Sequence, residues 1–277
     1  MSAPPRIGAI ASLNALPLTA HLRSVPPECA TVTWGPPSAL ADALHRGDLD
    51  LALVPHVELV ASSDYRAVPG LAIACAGAVD SILLFSLKSW SEISTVAVDA
   101  ASRSSVELLR VLFHLECGRI PDIVIAPEDA TAASLDRSKV DALLCIGDRA
   151  LADQHSSVPR ADLSERWHAV TGLPFVFALW AGRKGVAREA IDVVVEAARA
   201  GTTRRPEIAR DFAEAHPEVI RRGAALEYLT ETLHHTFGSA EAESVARFAD
   251  LRREIGSSVP VGWRLQMFSA NESGGVA

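Results

Sequence analysis

Short apolar runs alternate with amphipathic segments through the first two thirds of the chain, and the last third has a mainly helical pattern. Strands, turns and helices alternate in this way in α/β folds. We predict strands over residues 7–11, 31–34, 50–54, 81–87, 95–98, 122–126, 141–146 and 175–180. We predict helices over residues 102–117 and 189–200, and one or two amphipathic helices near the C-terminus over 226–229, 234–237 and 242–251.

The pattern changes character at two places. After the apolar run 81–87, a polar stretch precedes a new series of strands and helices, and the long apolar run 175–180 precedes the helical last third. The order predicts an α/β protein with two lobes and a cleft between them. Residues 1–87 and 175–277 form a discontinuous first lobe, and residues 88–174 form the second. Bacterial solute-binding proteins have this plan and close around a ligand by a hinge motion.

The same pattern indicates where a ligand binds. In open α/β sheets, ligands collect beyond the carboxyl ends of the strands. In this chain the predicted strands end at turns around residues 12–17, 55–56, 99–105 and 147–149. We therefore expect the site to be assembled from these turns.

Composition and charge limit the partners. The 277 residues are 49% hydrophobic, which is enough to build a core, and carry a formal net charge of −8 at pH 7. Neither a nucleic acid nor an acidic membrane is therefore expected to bind, and a small anion must be held by local donors. The N-terminal residues lack the form of a secretory signal, and no apolar stretch reaches the roughly 20 residues that span a bilayer. We expect a cytoplasmic protein that binds a small molecule.

Motifs for metals, disulfides and nucleotide cofactors are missing from the sequence. The four cysteines lie far apart in apolar surroundings, so they indicate neither a zinc site nor a disulfide framework. His234 and His235 are adjacent and cannot form the i, i+4 pair of a metal-binding helix. The sequence contains no G-x-G-x-x-G motif and no P-loop. We expect neither a metal nor a nucleotide cofactor.

Three predicted strand-to-helix turns are rich in hydrogen-bond donors. Free backbone amides and the positive end of the helix dipole bind carboxylates at such places. The alternative is that the serines and Asp148 only cap their helices, and Ser104 and Glu107 have the spacing of a capping box. The candidate ligand-binding residues in these turns are Ser12 and Asn14, then Ser102, Arg103, Ser104 and Ser105, then Gly147 and Asp148.

Two further polar residues stand at strand ends. Ser81 opens the strand predicted over 81–87, so its hydroxyl is able to face the cleft, although an ordinary strand-edge serine is the alternative. His56 follows Pro55 and is the one histidine that we place near the cleft, against the alternative of a purely structural histidine. No Gly-x-Ser-x-Gly motif and no spacing between a histidine and a partner supports a Ser-His-Asp triad.

Several segments have a distinctive order of residues. They are IGAIASLNALPL (7–18), PSALADALHRGDLDLALVP (37–55), GAVDSILLFS (77–86), ASRSSVELL (101–109), LLCIGDRAL (143–151), DLSERWHAVTGLPFVFALWA (162–181) and YLTETLHH (228–235). In these segments, and most specifically in the L-N-x-x-P turn, the I-G-D turn and the W-x-x-x-T-G-L-P-F-V-F-A-x-W block, the chain resembles the chorismate dehydratases of the futalosine route to menaquinone.

The resemblance implies a type II periplasmic-binding-protein fold recruited for catalysis, with no metal or organic cofactor. The family eliminates water from chorismate to give 3-[(1-carboxyvinyl)oxy]benzoate. By the resemblance, Asn14 and Ser81 polarise and position the ring substituents, and the turns at 102–105 and 147–148 hold carboxylates or the hydroxyl. No general base falls at the matched positions. We hypothesise that the enolpyruvyl carboxylate of the substrate accepts the ring proton.

The chain departs from the family pattern at Ser12, where an aromatic residue is usual, and at Cys75 and Ala78, where serine and proline are usual. Two alternatives remain open. The sister enzyme that makes 1,4-dihydroxy-6-naphthoate shares the architecture, but its first turn is of the kind S-P-C-P-N-D. A non-catalytic solute receptor is the alternative from another class, and it requires export or a membrane anchor.

Overall fold

The computed structural model describes residues 3–99, 102–127, 130–135 and 140–269. Its strands are β1 (Arg6–Ala9), β2 (Thr31–Trp34), β3 (Leu51–Pro55), β4 (Tyr65–Cys75), β5 (Ile82–Ser86), β6 (Thr95–Val98), β7 (Asp122–Ile125), β8 (Ala142–Ile146), β9 (Arg160–Asp162), β10 (Phe175–Arg183) and β11 (His234–Thr236). Its α-helices are α1 (Leu16–Thr19), α2 (Pro37–Arg46), α3 (Val57–Val60), α4 (Arg103–Cys117), α5 (Gly147–Asp153), α6 (Leu163–Thr171), α7 (Arg188–Thr203), α8 (Arg205–Ala215), α9 (Arg222–Glu227) and α10 (Ser239–Glu254).

The described strands form two mixed sheets. The first sheet has six strands in the order β11-β4-β10-β3-β1-β2, and the second has five in the order β7-β6-β8-β5-β9. In the first sheet, β1 is parallel to β2 and β3, and β10 is antiparallel to β3 and β4. In the second sheet, β6 is parallel to β7 and β8, and β5 is antiparallel to β8 and β9. The α/β class predicted from the sequence is confirmed.

Central strands are buried over their whole length, as the apolar runs predict. All five residues of β3 are buried, and this strand lies between β1 and β10 in the first sheet. All five residues of β5 are buried in the second sheet. Strands covered on both faces have such continuous apolar sequences. Within the described residues, no helix combines the length and the apolar character needed to cross a bilayer.

The point at which the chain first passes between the sheets differs from the prediction. We expected the strand at 81–87 to belong to the first lobe, but Ile82–Ser86 pairs with β8 and β9 in the second sheet. That assignment is wrong, because a fully buried apolar strand has the same pattern in either sheet. The passage lies between β4 and β5, at residues 76–81. The other lobe boundaries stay a prediction.

Two elements of the first sheet are absent from the sequence prediction. β4 has eleven residues, and its pairing with β10 is shifted around Pro69 and Gly70, which have the sequence of a turn. Gly70 has a φ of 76°, a conformation that glycine adopts readily at a bulge. The residues 234–237, predicted as helical, instead contain β11, which pairs with β4 at the edge of the sheet. These residues form a strand because the edge of β4 is free to pair with them. A local sequence pattern does not show a partner that is so distant in the chain.

Helix α7 lies very close to the short helix α1, which follows the turn at residues 12–14. A Cβ atom added to Gly201 in α7 would lie 2.3 Å from the carbonyl oxygen of Pro17 in α1. Real Cβ atoms do not approach backbone oxygens so closely. Glycine at position 201 therefore allows α7 to support the turn that precedes α1.

We expect Gly201→Ala to lower the free energy of unfolding by about 2 kcal/mol, because the overlap with Pro17 outweighs the higher helix propensity of alanine. Gly223 in α9 is the matched control, since a Cβ atom there meets no atom within 4 Å. Gly223→Ala should stabilise the protein by up to about 1 kcal/mol. Urea denaturation measures both, and equal midpoints for the two variants would contradict the close contact.

Candidate functional site

A cavity of about 270 Å³ is lined by residues from the first and second sheets and from the turns that follow their strands. Its polar lining consists of Ser12, Asn14, Ser81, Asp99, Ser102, Arg103, Ser104 and Ser105, and its apolar lining includes Ile10, Ile73, Ile82, Ile146 and Phe177. Most of these residues lie at or just beyond the carboxyl ends of parallel strands. This is the place where open α/β sheets bind ligands.

A larger cavity, of about 840 Å³, lies at the other end of the first sheet, around Arg6, Asp50 and Arg183. Arg6 and Asp50 form an ion pair with each other at 2.6 Å. This cavity adjoins the amino end of β1, and no described residue of the second sheet lines it. We take the smaller cavity as the candidate site, because polar groups from both sheets converge there.

Strand pairing explains the position of Ser81. Because β5 is antiparallel to β8, its amino end lies at the carboxyl end of β8, and Ile82 is paired with Ile146. The backbone N–H of Gly147 donates to the carbonyl oxygen of Ser81 at 2.8 Å. The serine is buried, and its Oγ accepts a hydrogen bond from the hydroxyl of Tyr228 at 2.8 Å. Gly147 also lines the cavity, but its amide already has a partner inside the protein.

The turn that carries Asn14 is held from several sides. The hydroxyl of Ser12 donates to Asn14 Oδ1 at 2.6 Å, which leaves the two N–H groups of the amide as donors. The N–H of Leu13 donates to Asp148 Oδ1 at 3.2 Å, and Nε2 of His235 donates to the carbonyl oxygen of Asn14 at 2.9 Å. Burial lowers the pKa of His235 to about 4, so the ring is neutral near pH 7. The protein thus presents Asn14 to the cavity in one orientation.

Helix α4 begins at the cavity wall. Ser102 is its N-cap, but no side chain caps the helix. The expected capping box of Ser104 and Glu107 is not formed, because the N-cap is Ser102 and Ser104 lies within the first turn. Glu107 instead accepts a hydrogen bond from Arg252 Nε at 2.8 Å. The Oγ atom of Ser102 is buried and has no hydrogen-bond partner among the described residues. The first-turn amides of a helix also lack helical partners, and together these groups suit an anionic oxygen.

His56 and Ser104 meet behind the cavity wall. His56 is fully buried, with ring centroids 5.3 Å from Phe175 and 4.8 Å from Phe248, and it is not among the described residues that line the cavity. Burial lowers the pKa of His56 to about 3, so this histidine is neutral and unsuited to donate a proton. Ser104 Oγ lies 3.4 Å from His56 Nδ1 and donates to the carbonyl oxygen of Phe177 at 3.3 Å. The structural alternative for His56 therefore fits its surroundings.

Arg103 and Asp148 join the parts of the molecule around the cavity. Arg103, in α4, lines the cavity and donates to Glu58 at 3.0 Å and to Asp42 at 2.7 Å, on helices α3 and α2. Its positive charge is therefore already matched by two carboxylates. Asp148 does not line the cavity, and burial raises its pKa while the bond from Leu13 opposes this shift. Its contact with the turn at residues 12–14 makes it a support for Asn14.

Sequence reasoning missed Tyr228 and the apolar walls. Tyr228 was missed because it lies far from Ser81 in the chain. The available signal is that a buried tyrosine hydroxyl usually has a hydrogen-bond partner. Ile73 was missed because β4 was missed. Phe177 lies in the predicted strand 175–180, whose pattern does not show which residue reaches the cavity.

The cavity combines apolar walls with hydrogen-bond donors. Among the described lining residues, Arg103 and Asp99 carry the only ionisable side chains, and Arg103 is paired. Hydroxyl, amide and helix N-terminal groups stabilise negative charge on oxygen without bulk positive charge. The arrangement is suited to hold and polarise a small ring compound with several oxygen substituents.

Comparison with known proteins gives related sequences. A family model described as menaquinone biosynthesis matches residues 5–254. A chorismate dehydratase from Thermus thermophilus is 29% identical over 232 residues, which cover 75% of this chain and 82% of the relative. These matches confirm the resemblance seen in the sequence segments.

Comparison with solved structures gives the fold. Protein AF1704 of Archaeoglobus fulgidus matches with a TM-score of 0.73 at 14% identity, over 92% of this chain and 98% of that one. The periplasmic aliphatic sulphonate-binding protein SsuA of Escherichia coli matches with a TM-score of 0.63 at 15% identity, over 98% and 95% of the two chains. At these identities the likeness concerns the fold alone. It confirms the expected two-lobed architecture of periplasmic binding proteins.

Burial of His56 predicts that acid lowers the stability of the folded protein. The pKa of His56 is about 3 in the folded protein and near 6.5 when unfolded, so below pH 6.5 the unfolded state binds a proton that the folded state does not. The contribution of His56 to the free energy of unfolding is fully present above pH 6.5 and is lost as the pH falls towards 3. The loss amounts to about 2 kcal/mol at about pH 5. Urea denaturation between about pH 7 and 5 should show a smaller loss for His56→Gln than for wild type. The exposed His155 is the control, and an identical pH slope in His56→Gln and His155→Gln would contradict the assignment.

Proposed function

Since the chain belongs to the menaquinone biosynthesis family, we propose that it is a chorismate dehydratase, a carbon–oxygen lyase that eliminates water from chorismate. The observation that carries the proposal is the meeting of Asn14, Ser81 and the serine-rich start of α4 around one cavity. The name of the Thermus thermophilus relative supports the same activity. The proposed product is 3-[(1-carboxyvinyl)oxy]benzoate.

The chemistry of chorismate matches the lining of the cavity. Chorismate has a cyclohexadiene ring, two carboxylates and one ring hydroxyl. The apolar walls formed by Ile73, Ile82 and Phe177 suit the ring, and the donors at Asn14 and Ser81 suit its oxygen substituents. The buried Ser102 hydroxyl and the first amides of α4 suit a carboxylate. A protein of net charge −8 thus holds a dianion by local donors.

The proposed reaction removes a ring proton and the neighbouring hydroxyl. The enolpyruvyl carboxylate of the substrate accepts the proton, and the C–H electron pair forms the double bond that completes the aromatic ring. The C–O bond breaks at the same side of the ring, and the departing oxygen takes up the proton and leaves as water. Asn14 and Ser81 orient the ring and stabilise charge on oxygen. The reaction balances without a metal or organic cofactor.

We place the enzyme in the cytoplasm, where it acts on a small enolpyruvyl dicarboxylate.

Incubation of the purified protein with chorismate tests the proposal, because conversion produces an aromatic absorbance band and a product lighter by one water in mass spectrometry. Binding of chorismate without conversion would support the solute-receptor alternative instead. If the protein neither binds nor converts chorismate, the proposal is refuted for this substrate.

Replacing a donor at the cavity should slow the reaction without unfolding the protein. We expect Ser81→Ala and Asn14→Ala each to lower kcat by about 100-fold, because each removes a donor that stabilises charge in the transition state. Ser86→Ala is the control, since Ser86 lies at the other end of β5 and donates to the carbonyl oxygen of Asp141. Steady-state kinetics measures all three variants. Native turnover by a folded Ser81→Ala or Asn14→Ala variant would remove the role given to that residue.

Ser102 should affect binding and stability in different ways. Its buried hydroxyl has no protein partner among the described residues, so Ser102→Ala should leave the free energy of unfolding unchanged or slightly higher. KM for chorismate should rise by about tenfold, because a donor to the carboxylate is lost. Ser164→Ala, at another buried serine away from the cavity wall, should leave KM unchanged. A loss of stability without a change in KM would show that the Ser102 hydroxyl serves only the fold.

A further inference from the structure

Tyr228 lies behind Ser81 and not on the cavity wall. It begins the π-helical segment Tyr228–Thr232, and its side chain is buried. Its hydroxyl donates to Ser81 Oγ at 2.8 Å across 147 positions of sequence. Tyr228 is not among the described residues that line the cavity. Its hydroxyl is therefore placed to act on a ligand through Ser81.

The direction of this hydrogen bond is determined by the surroundings of the phenol. Burial raises the pKa of Tyr228 far above its ordinary value, so the phenol keeps its proton. Among the described residues, Ser81 Oγ is the only hydrogen-bond partner of this hydroxyl, so a phenol that accepted from Ser81 would leave its own buried hydrogen without an acceptor. A serine hydroxyl has one hydrogen and two lone pairs, and one lone pair of Ser81 is occupied by Tyr228. Among the described residues, Tyr228 is the only hydrogen-bond partner of Ser81 Oγ. The hydrogen of Ser81 is thus left for an acceptor in the cavity.

We propose that Tyr228 is a positioning residue that makes Ser81 a hydrogen-bond donor to an oxygen of the ligand. The inference rests on the proposed function and deepens it. As water is eliminated, the departing oxygen gains negative charge and needs a donor. With Tyr228 in place, Ser81 meets that need with its one hydrogen, which has no other acceptor among the described residues.

Asn14 is made a hydrogen-bond donor to the cavity in the same way as Ser81. Ser12 donates to the amide oxygen of Asn14, so Asn14 also offers N–H groups to the ligand. The hydroxyls of Tyr228 and Ser12 thus make two cavity residues, Ser81 and Asn14, hydrogen-bond donors. A ligand rich in acceptor oxygens, such as a dicarboxylate, matches this pattern.

Tyr228→Phe tests the proposal because it removes the hydroxyl and keeps the ring in the core. We expect kcat for chorismate to fall by about tenfold and KM to change by less than about twofold, since the orientation of Ser81 matters most as charge develops. In the Ser81→Ala background, the same replacement should change kcat by less than about twofold, because no hydroxyl remains to be oriented.

Tyr65 provides a matched control. Its hydroxyl is hydrogen-bonded to His45 Nδ1 at 2.7 Å, and it is not among the described residues that line the cavity. Tyr65→Phe removes a hydroxyl of the same kind at a distance from Ser81, and kcat should stay within about twofold of wild type. An equal loss in Tyr65→Phe and Tyr228→Phe would overturn the proposal.

A spectroscopic measurement avoids dependence on the folding of Tyr228→Phe. The chain has two tyrosines, so in Tyr65→Phe protein 3-fluorotyrosine labels Tyr228 alone. Its fluorine resonance should shift on Ser81→Ala and again when chorismate saturates the protein with Ser81 intact. A resonance that responds to neither change would overturn the link between Tyr228, Ser81 and the ligand.

The outcomes separate this inference from the function on which it rests. Wild-type protein that does not convert chorismate overturns both. Conversion by wild type together with full activity of Tyr228→Phe overturns the inference alone. If Tyr228→Phe lowers kcat equally in the wild-type and Ser81→Ala backgrounds, the inference is also overturned, because the tyrosine would then act independently of Ser81.

Discussion

The antiparallel pairing of β5 with β8 is the interaction on which the site depends. It brings the amino end of one strand to the carboxyl end of its neighbour, and so places Ser81 beside Gly147. If β5 were parallel to β8, Ser81 would lie at the opposite edge of the second sheet, away from the turns that bind ligands in such folds. Ser81, at the end of the segment that connects the two sheets, therefore lies beside residues of both sheets.

Groups that do not line the cavity hold Ser81 and the turn of Asn14 in place. Tyr228 donates to Ser81, and Asp148 accepts from the backbone of Leu13. Such supporting contacts hold reactive side chains in place before a ligand arrives, which reduces the reorganisation needed during the reaction. The pairing of Arg103 with Glu58 and Asp42 further removes a free cation from the wall. Binding of an anion then depends mainly on dipoles and hydroxyls.

The local pattern predicted most of the second sheet and of the first sheet's centre, because continuous apolar runs between turns identify buried strands. It failed at β4, where Pro69 and Gly70 look like a turn but form a bulge within a long strand. It failed again at β11, which is a strand only because the edge of β4 is available. It assigned β5 to the wrong sheet, since burial on both faces is the same in either. These errors concern partners that are distant in sequence.

The sequence by itself determined the chemical groups of the candidate site: donor-rich turns follow apolar strands, and carboxyl ends of strands gather at one edge of a sheet. It thereby indicated Asn14, Ser81 and the serines of α4, which the structure brings to one cavity. Only the tertiary structure decided that His56 lies in the core and that Tyr228 stands behind Ser81. Spacing along the chain reports which groups end a strand, whereas burial and hydrogen-bond direction depend on neighbours that folding brings from far away.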